Sequence, residues 1–203
     1  MATDKTAVIG FPVDHSLSPF IHNHWIKVLG LNIKPYEKIS VDPSTFEEQI
    51  NNLKAEGYGG LNVTVPLKEL AFSISDETSN VSKKLKSVNT LSLSSEKING
   101  DNTDAVGFIN SLDEKTIEEN ITNKKTLVLG AGGSARSIVH ALNELGSQVR
   151  LFNRTPEKAA ILLNDLSINS SPVSTEELDD YANSSSFIVN TTSLGQKAGE
   201  HNN

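Results

Sequence analysis

The chain has 203 residues, of which 36% are hydrophobic, and this is enough material for one or two ordinary globular domains. A formal net charge of −7 argues against a nucleic-acid partner, and the lack of cysteine excludes disulfides, thiolate nucleophiles and cysteine-ligated metals. The N-terminus has no apolar signal core and no run approaches the roughly 18 apolar residues of a membrane span. We therefore expect a cytosolic protein without a membrane partner.

The first hundred residues alternate between strand and helix patterns, which predicts an α/β fold. We expect strands over 7–9, 33–39, 61–65, 88–93 and 96–99, the last two around a serine-rich turn. The first helix begins at Pro19 with Ser18 as its cap, and its apolar stripe comprises Phe20, Ile21, Trp25, Ile26 and Leu29. The second is capped by Asp42 or Ser44, and its apolar face comprises Phe46, Ile50 and Leu53.

The second half resembles a nucleotide-binding unit in its order of elements. Residues 110–125 are polar and predict a connecting helix and loop, followed by strand 126–129, helix 133–145, strand 148–152 and a helix from Pro156. Ser174 and Glu177 have the spacing of a capping box for a short helix. Strand 187–189 comes last, before a polar tail, so the pattern contains about three strands of a doubly wound sheet that usually has about six. We therefore predict two domains, 1–104 and 105–203.

A glycine run directly follows strand 126–129 and directly precedes a helix. It comprises Gly130, Ala131, Gly132, Gly133, Ser134 and Ala135. This arrangement places backbone N–H groups and a helix N-terminus against a pyrophosphate. Gly130 and Gly132 permit the tight turn and the close phosphate approach, and Ala135 permits close packing of the helix on the strand.

The tip of the next strand indicates which dinucleotide binds. An NAD site usually carries Asp or Glu there to accept bonds from the ribose 2′-OH, whereas this chain has Asn153, Arg154 and Thr155. A neutral and basic tip suits a 2′-phosphate, so the sequence predicts NADP as the cofactor. The alternative is that Arg154 is a solvated loop residue.

Three polar clusters in the first half follow predicted strands or begin a helix. Ser16 and Ser18 are two residues apart, so an extended segment would place both hydroxyls on one side, although turn and cap chemistry explains the two residues better when they are taken alone. Asn62 and Thr64 share one face of a strand that Pro66 ends. Lys68 lies just beyond it, where open α/β sheets carry ligands, or else is an exposed lysine after a turn.

The remaining polar clusters are Asn89-Thr90 and the run 100–104, which begins a helix. The histidines give no metal site, because His22 and His24 do not share a helix face and no carboxylate spacing completes a site with His15. We expect no metal.

Taken together, these motifs resemble shikimate dehydrogenase over nearly the whole chain. The resemblance is carried by G-x-P-x-x-H-S-x-S-P-x-x-H-N at 10–23, N-V-T-x-P-x-K at 62–68, V-N-T at 88–90, G-D-N-T-D at 100–104, G-A-G-G-x-A-R at 130–136, N-R-T at 153–155 and N-x-T-S-x-G at 190–195. It implies an N-terminal α/β substrate domain followed by a Rossmann-type NADP domain. The implied activity is the reversible NADPH-dependent reduction of 3-dehydroshikimate to shikimate, on the pathway to chorismate and the aromatic amino acids.

The resemblance also implies roles for individual residues. Ser16 and Ser18 would hold the substrate carboxylate, and the ring hydroxyls would be bound by Asn62, Thr64, Asn89 and Asp104. Lys68 would be the catalytic lysine with Asp104 as its partner, acting as a general acid–base group or as an electrostatic stabiliser. Gly130 to Ala135 would form the phosphate turn, and the 2′-phosphate would be held by Asn153, Arg154, Thr155 and Lys158. The third strand end beside the cofactor would be formed by Asn190, Thr191 and Thr192.

Departures from the family pattern leave alternatives open. Ala105 replaces the usual glycine, and the family's later D-x-x-Y and G-x-x-M-L-x-x-Q-A motifs have no counterpart in these 203 residues. We therefore expect a Rossmann domain that is incomplete at its C-terminus, weak nucleotide affinity and very slow turnover. The alternatives are a quinate-type relative and a non-catalytic fragment that binds substrate or nucleotide. Both a monomer and a homodimer stay open.

Overall fold

The computed structural model describes residues 5–93, 96–192 and 194. The chain divides into two compact units, Met1–Thr103 and Asp104–Asn203, and the predicted domain boundary lies one residue further on. In the described ranges, no helix is both long and apolar enough to cross a membrane. The predicted serine-rich turn at 94–95 and the polar tail at 196–203 lie outside the described residues.

The first unit is built on a six-stranded mixed sheet with the order β2-β1-β3-β5-β6-β4. Its strands are β1 (Lys5–Gly10), β2 (Glu37–Ser40), β3 (Tyr58–Val63), β4 (Glu77–Thr78), β5 (Thr90–Ser92) and β6 (Asn99–Asp101). β1 pairs in parallel with β2 and β3, whereas β5 is antiparallel to β3 and to β6. The α/β prediction is confirmed. The strand boundaries differ from the predicted ones by up to three residues, except at the start of β2, where the difference is larger.

Four helices accompany this sheet: α1 (Ser18–Val28), α2 (Phe46–Ala55), α3 (Lys68–Ile74) and α4 (Asn80–Leu85). The predicted apolar face of α2 is buried in the core beside Ala7, Ile9, Leu61, Val63 and Leu91. Asp42 is the cap, since its carboxylate accepts a hydrogen bond of 2.8 Å from the backbone N–H of Ser44. This cap begins a 3-10 turn (Pro43–Thr45) that leads into α2.

Two expectations about the chain around α1 are wrong. Ser18 does not cap α1: it is the first helical residue, and the N-cap is Leu17, which has no side-chain oxygen. β2 begins at Glu37 and not at residue 33, because the Asn23 side chain bonds both the N–H and the C=O of Tyr36, at 2.8 and 3.0 Å. Those backbone groups are therefore not available for a sheet ladder.

The apolar stripe of α1 is not a core face in the described structure. No residue of α1 is buried, and Phe20 and Trp25 are 79% and 52% exposed. Ile26 packs partly against a small cluster formed by Val8, Val13 and Tyr36. Periodicity predicts which side chains share a helix face, but it does not determine whether another element covers that face.

The second unit has a parallel three-stranded sheet with the order β8-β7-β9, which confirms the predicted partial doubly wound pattern. Its elements are α5 (Asp104–Asn110), α6 (Glu114–Thr116) with a π-helical turn (Ile117–Ile121), β7 (Lys125–Leu129), α7 (Gly133–Glu144), β8 (Gln148–Phe152), α8 (Pro156–Asp165), α9 (Leu178–Ser184) and β9 (Phe187–Asn190). The capping box before α9 is confirmed, because Ser174 and Glu177 each accept the other's backbone N–H, at 3.3 and 3.0 Å.

Candidate functional site

The first group of predicted site residues lies where β1 and β3 end. These strands are parallel neighbours, so the segments that follow them leave the same edge of the sheet. Thr64 continues the pairing, donating its backbone N–H to the C=O of Ile9 at 2.9 Å. A Cβ added at Gly10 would lie 2.6 Å from the Thr64 methyl carbon. The glycine therefore allows the two strand ends to lie this close.

The two serines lie in a turn, which is the alternative that their residue types favour, and not in an extended segment. Leu17 between them has helical dihedrals, φ −87° and ψ −3°. The Ser16 hydroxyl oxygen accepts a 3.3 Å bond from the Ser18 backbone N–H. Both serines are half-buried. Turn chemistry is thus present, and the carboxylate-binding role stays a prediction.

Lys68 is the first residue of α3 and is only 8% exposed. The alternative of a solvent-exposed lysine is therefore wrong. Burying an ammonium group costs free energy unless nearby groups compensate for lost water, so a buried lysine at a strand end calls for polar neighbours. Its backbone C=O also accepts a 2.9 Å bond from Val88, which ties the start of α3 to the segment before β5.

Asn62 and Asn89 are both bonded to other side chains of the first unit. The Asn62 Oδ1 atom accepts a 2.7 Å bond from the Tyr36 hydroxyl, and its Nδ2 donates to Thr90 at 3.4 Å. The Asn89 Oδ1 atom accepts from the Thr90 hydroxyl at 2.9 Å, and its Nδ2 donates to the Thr103 hydroxyl at 2.9 Å. The sequence analysis missed Tyr36, because its partner Asn62 is 26 residues away and no short-range pattern joins them.

A cavity of about 350 Å³ lies beside Asn62 between α1 and the sheet, with mostly apolar walls. Of the predicted substrate ligands only Asn62 lines it, so the cavity is separate from the strand-end group. His22 also lines it and stacks on Tyr36, with ring centroids 4.1 Å apart. Burial lowers the pKa of His22 from its ordinary 6.5. Among the residues that the structure describes, no group of three or more His, Asp or Glu could hold a metal ion.

The glycine turn of the second unit joins the ends of all three parallel strands. Gly130 has φ +104° and donates its N–H to Phe152 at the end of β8, at 2.8 Å. A Cβ there would lie 2.6 Å from the Thr191 hydroxyl oxygen, which follows β9. Gly132 differs, since an added Cβ would meet no atom within 4 Å. Gly132 is the exposed N-cap of α7, so this backbone is open to an approaching pyrophosphate.

The remaining cofactor residues surround this turn within the second unit. Asn153 donates its amide to the C=O of Thr155 at 2.8 Å, which shapes the tip after β8, and Arg154 and Lys158 are exposed. The Asn190 Oδ1 atom accepts from the N–H and the hydroxyl of Thr192, at 2.9 and 2.6 Å. Their contacts to a cofactor stay predictions. Asp104, the first residue of α5, belongs to this unit, and its substrate role also stays a prediction.

Sequence analysis also missed a buried ion pair behind the turn. Arg136 on α7 donates from Nη1 to the Asp165 carboxylate at the end of α8, at 2.9 Å. The side chains are only 10% and 14% exposed, respectively. The pair joins the phosphate-turn helix to the helix that follows the predicted 2′-phosphate tip, so it supports both parts of the candidate nucleotide site.

Comparison with known proteins gives matches in both units. Residues 8–91 match the shikimate dehydrogenase substrate binding domain, and residues 111–198 match the shikimate / quinate 5-dehydrogenase family. A shikimate dehydrogenase (NADP(+)) of Methylocella silvestris is 39% identical over 196 residues, which are 97% of this chain and 70% of that protein.

Two solved structures extend the comparison to the fold. The shikimate dehydrogenase of Aquifex aeolicus superposes with a TM-score of 0.84 at 38% identity, over 97% of this chain and 71% of that one. The shikimate 5-dehydrogenase of Thermus thermophilus, in complex with NADP(H) and shikimate, gives 0.78 at 32% identity, over 95% and 69%. On this evidence, the chain belongs to the shikimate dehydrogenase family.

Proposed function

We propose that this chain is an NADP-dependent shikimate dehydrogenase, which interconverts 3-dehydroshikimate and shikimate. The observation that carries the proposal is the match along 97% of the chain to a relative named for this activity and this cofactor. The buried Lys68 and the open glycine turn support it from the structure. Its ligands would then be small molecules, in a cytosolic protein that binds neither nucleic acid nor membrane.

The second unit has features that fit NADP. Gly130 to Ala135 would hold the pyrophosphate at the N-terminus of α7, where backbone N–H groups and the helix dipole favour an anion. Arg154 and Lys158 are exposed near the start of α8 and would bind the 2′-phosphate by charge-assisted hydrogen bonds. When bound, NADPH supplies a hydride to the carbonyl carbon of 3-dehydroshikimate.

The first unit would hold the substrate and move the proton. Ser16 and Ser18 would bind its carboxylate, while Thr64 and Asn89 would bind ring hydroxyls. As the carbonyl carbon gains the hydride, its oxygen gains negative charge and needs a proton. The Lys68 ammonium would stabilise that charge and donate the proton, and the resulting neutral amine would recover one from solvent. In the reverse direction the neutral amine would accept the hydroxyl proton of shikimate.

The first test is ligand binding by the 203-residue chain. Calorimetry should show saturable binding of shikimate and of NADP⁺, and absorbance of NADPH should report shikimate-dependent reduction of NADP⁺. Failure to bind either ligand would overturn the proposal. Equal binding and turnover with quinate in place of shikimate would favour the quinate-type alternative.

A lysine pair tests the chemical role. Lys68→Met keeps the length of the side chain and removes its charge, so turnover should fall at least about 100-fold while shikimate affinity changes much less. The matched control is Lys83→Met, at an exposed lysine of α4, which should leave both quantities unchanged. Normal turnover in Lys68→Met would remove this residue from the chemical step.

A further inference from the structure

Tyr36 is held in place by two consecutive residues of α1, His22 and Asn23. The Asn23 side chain bonds both backbone polar groups of Tyr36, and the His22 ring stacks on the Tyr36 ring with an interplanar angle of 8°. Tyr36 is 5% exposed. The His-Asn pair at the end of the motif over 10–23 therefore determines where the phenol hydroxyl lies.

From this hydroxyl, four side-chain hydrogen bonds run in one direction through the first unit. Tyr36 donates to Asn62 Oδ1 at 2.7 Å, and Asn62 Nδ2 donates to the Thr90 oxygen at 3.4 Å. The Thr90 hydroxyl donates to Asn89 Oδ1 at 2.9 Å, and Asn89 Nδ2 donates to the Thr103 hydroxyl at 2.9 Å. In each of the two amides, the oxygen is bonded to the preceding member of the chain and the nitrogen to the following one.

The direction of the chain follows from counting donors and acceptors. The backbone N–H of Thr103 is only a donor, and it lies 3.1 Å from one end of the Asn89 amide, which must therefore be the oxygen. Thr90 then has to give its single proton to that oxygen, so its own oxygen must accept from the Asn62 NH₂ group. The Asn62 oxygen consequently faces Tyr36, whose hydroxyl must donate. Reversing any one amide would place two acceptors or two donors against each other.

We propose that Tyr36, Asn62 and Thr90 are positioning residues that hold the Asn89 side chain in place for the substrate, in the orientation that the Thr103 N–H sets. The inference rests on the proposed function, in which Asn89 binds a ring hydroxyl. It gives Asn62 a positioning role through Thr90 and Asn89, beside the contact with a ring hydroxyl that the family resemblance implies for it. Burial raises the pKa of Tyr36, so its hydroxyl keeps the proton that begins the chain.

A matched pair of tyrosine variants tests the first link. Tyr36→Phe keeps the ring that His22 stacks on and removes only the hydroxyl. Tyr58→Phe is the control, since Tyr58 is also 5% exposed in the same unit but donates to Glu37, outside the chain. Tyr36→Phe should shift the NMR signals of the Asn89 side-chain NH₂ group in the ligand-free protein and weaken shikimate binding about two- to tenfold. Tyr58→Phe should change neither.

The Thr90 link is tested by a conservative rescue. Thr90→Val has nearly the same shape but cannot donate to Asn89 or accept from Asn62, so it should shift the Asn89 signals and weaken shikimate binding as Tyr36→Phe does. Thr90→Ser retains the hydroxyl and should restore both. In the double variant Tyr36→Phe/Thr90→Val, Tyr36→Phe should add little to the effect of Thr90→Val, because Thr90→Val already cuts the connection between Tyr36 and Asn89.

The outcomes separate this inference from the proposed function. Unchanged Asn89 signals in Tyr36→Phe, or equal losses in Thr90→Val and Thr90→Ser, would overturn the positioning chain. A wild-type protein that binds no shikimate would instead overturn the proposed function, and the Asn89 signals of the ligand-free variants would still decide whether the chain orients this amide.

Discussion

Replacing Gly130 by alanine should destabilise the second unit for two separable reasons. Its φ of +104° is a conformation that residues with a Cβ rarely adopt. The new methyl group would also lie 2.6 Å from the Thr191 hydroxyl oxygen and 3.0 Å from the Thr192 methyl carbon. Thr191 cannot move away without loss, because its hydroxyl donates a 2.7 Å bond to the C=O of Leu129.

The size of the effect follows from these two contributions. A residue held in a sparsely populated backbone region costs about 1–3 kcal/mol. Forcing a methyl group into packed surroundings costs about 1–3 kcal/mol more. The expected loss in the free energy of unfolding is therefore about 2–6 kcal/mol, a large share of the roughly 5–15 kcal/mol that holds a typical domain folded.

Replacing Gly132, two residues further on, should affect cofactor binding and leave stability nearly unchanged. Its φ of −96° suits any residue, and an added Cβ meets no atom within 4 Å. Gly132→Ala should change the free energy of unfolding by no more than about 1 kcal/mol, because the stiffer unfolded chain offsets the poorer helix capping by alanine. The methyl group would, however, occupy the space through which pyrophosphate approaches the backbone, so NADP⁺ affinity should fall about tenfold or more.

Urea unfolding followed by circular dichroism measures the stability of both variants, and amide hydrogen exchange of β7 locates the change in the second unit. Calorimetry with NADP⁺ measures affinity. Equal stability of Gly130→Ala and the wild type would refute the steric argument. Unchanged NADP⁺ affinity in a well-folded Gly132→Ala would refute the assignment of this turn to the pyrophosphate.

Three further predictions concern charge. Arg154→Ala should lower NADPH affinity about tenfold or more and leave NADH affinity unchanged, whereas equal losses would refute a 2′-phosphate contact. Asp165→Asn should cost about 3–5 kcal/mol in urea unfolding, because it removes the negative charge that lies 2.9 Å from the buried Arg136 guanidinium. The exposed-pair control Glu77→Gln should change the free energy of unfolding far less, because water screens this pair. Burial lowers the folded-state pKa of His22, so the unfolded chain binds more protons than the folded chain as the pH falls below about 6.5. The free energy of unfolding should therefore fall in this range, and it should fall more in the wild type than in His22→Phe.

Elements marked by short-range signals were predicted well from the sequence. β8 matches its predicted bounds, 148–152, and the capping box before α9 forms as expected, because strand patterns and caps depend on residues close in the chain. The segment over 68–85 carried no prediction of secondary structure, although it contains α3, β4 and α4. These elements have two to seven residues each, too few for a periodic pattern to stand out, and their stability comes from packing, as the buried Ala71 and Leu85 show.

For the candidate site, too, short-range signals were predictable from the sequence and long-range contacts were not. Placing Asn62, Thr64 and Lys68 at a strand end needed only the strand pattern and Pro66, and the structure places all three there. Whether each group is available to a ligand is a different question, since it depends on partners far away in the sequence. Lys68 could not be told from an exposed lysine until its 8% exposure was known.

Asn62 shows most clearly that contacts with distant residues cannot be predicted from the sequence. Its amide has two polar ends, and both are bonded by residues from other strands and loops, Tyr36 26 positions before it and Thr90 28 positions after it. A family motif can mark such a residue as functional without saying whether it touches the substrate or orients the residue that does. Donor and acceptor counting determines how such amides face, because the Thr103 N–H sets the orientation of Asn89 and every earlier amide in the chain must then follow. Because the amide oxygen has two lone pairs and the nitrogen two hydrogens, a side chain with one bond at each end can position its neighbour and still contact a ligand, so the contacts support the positioning role without excluding a direct one.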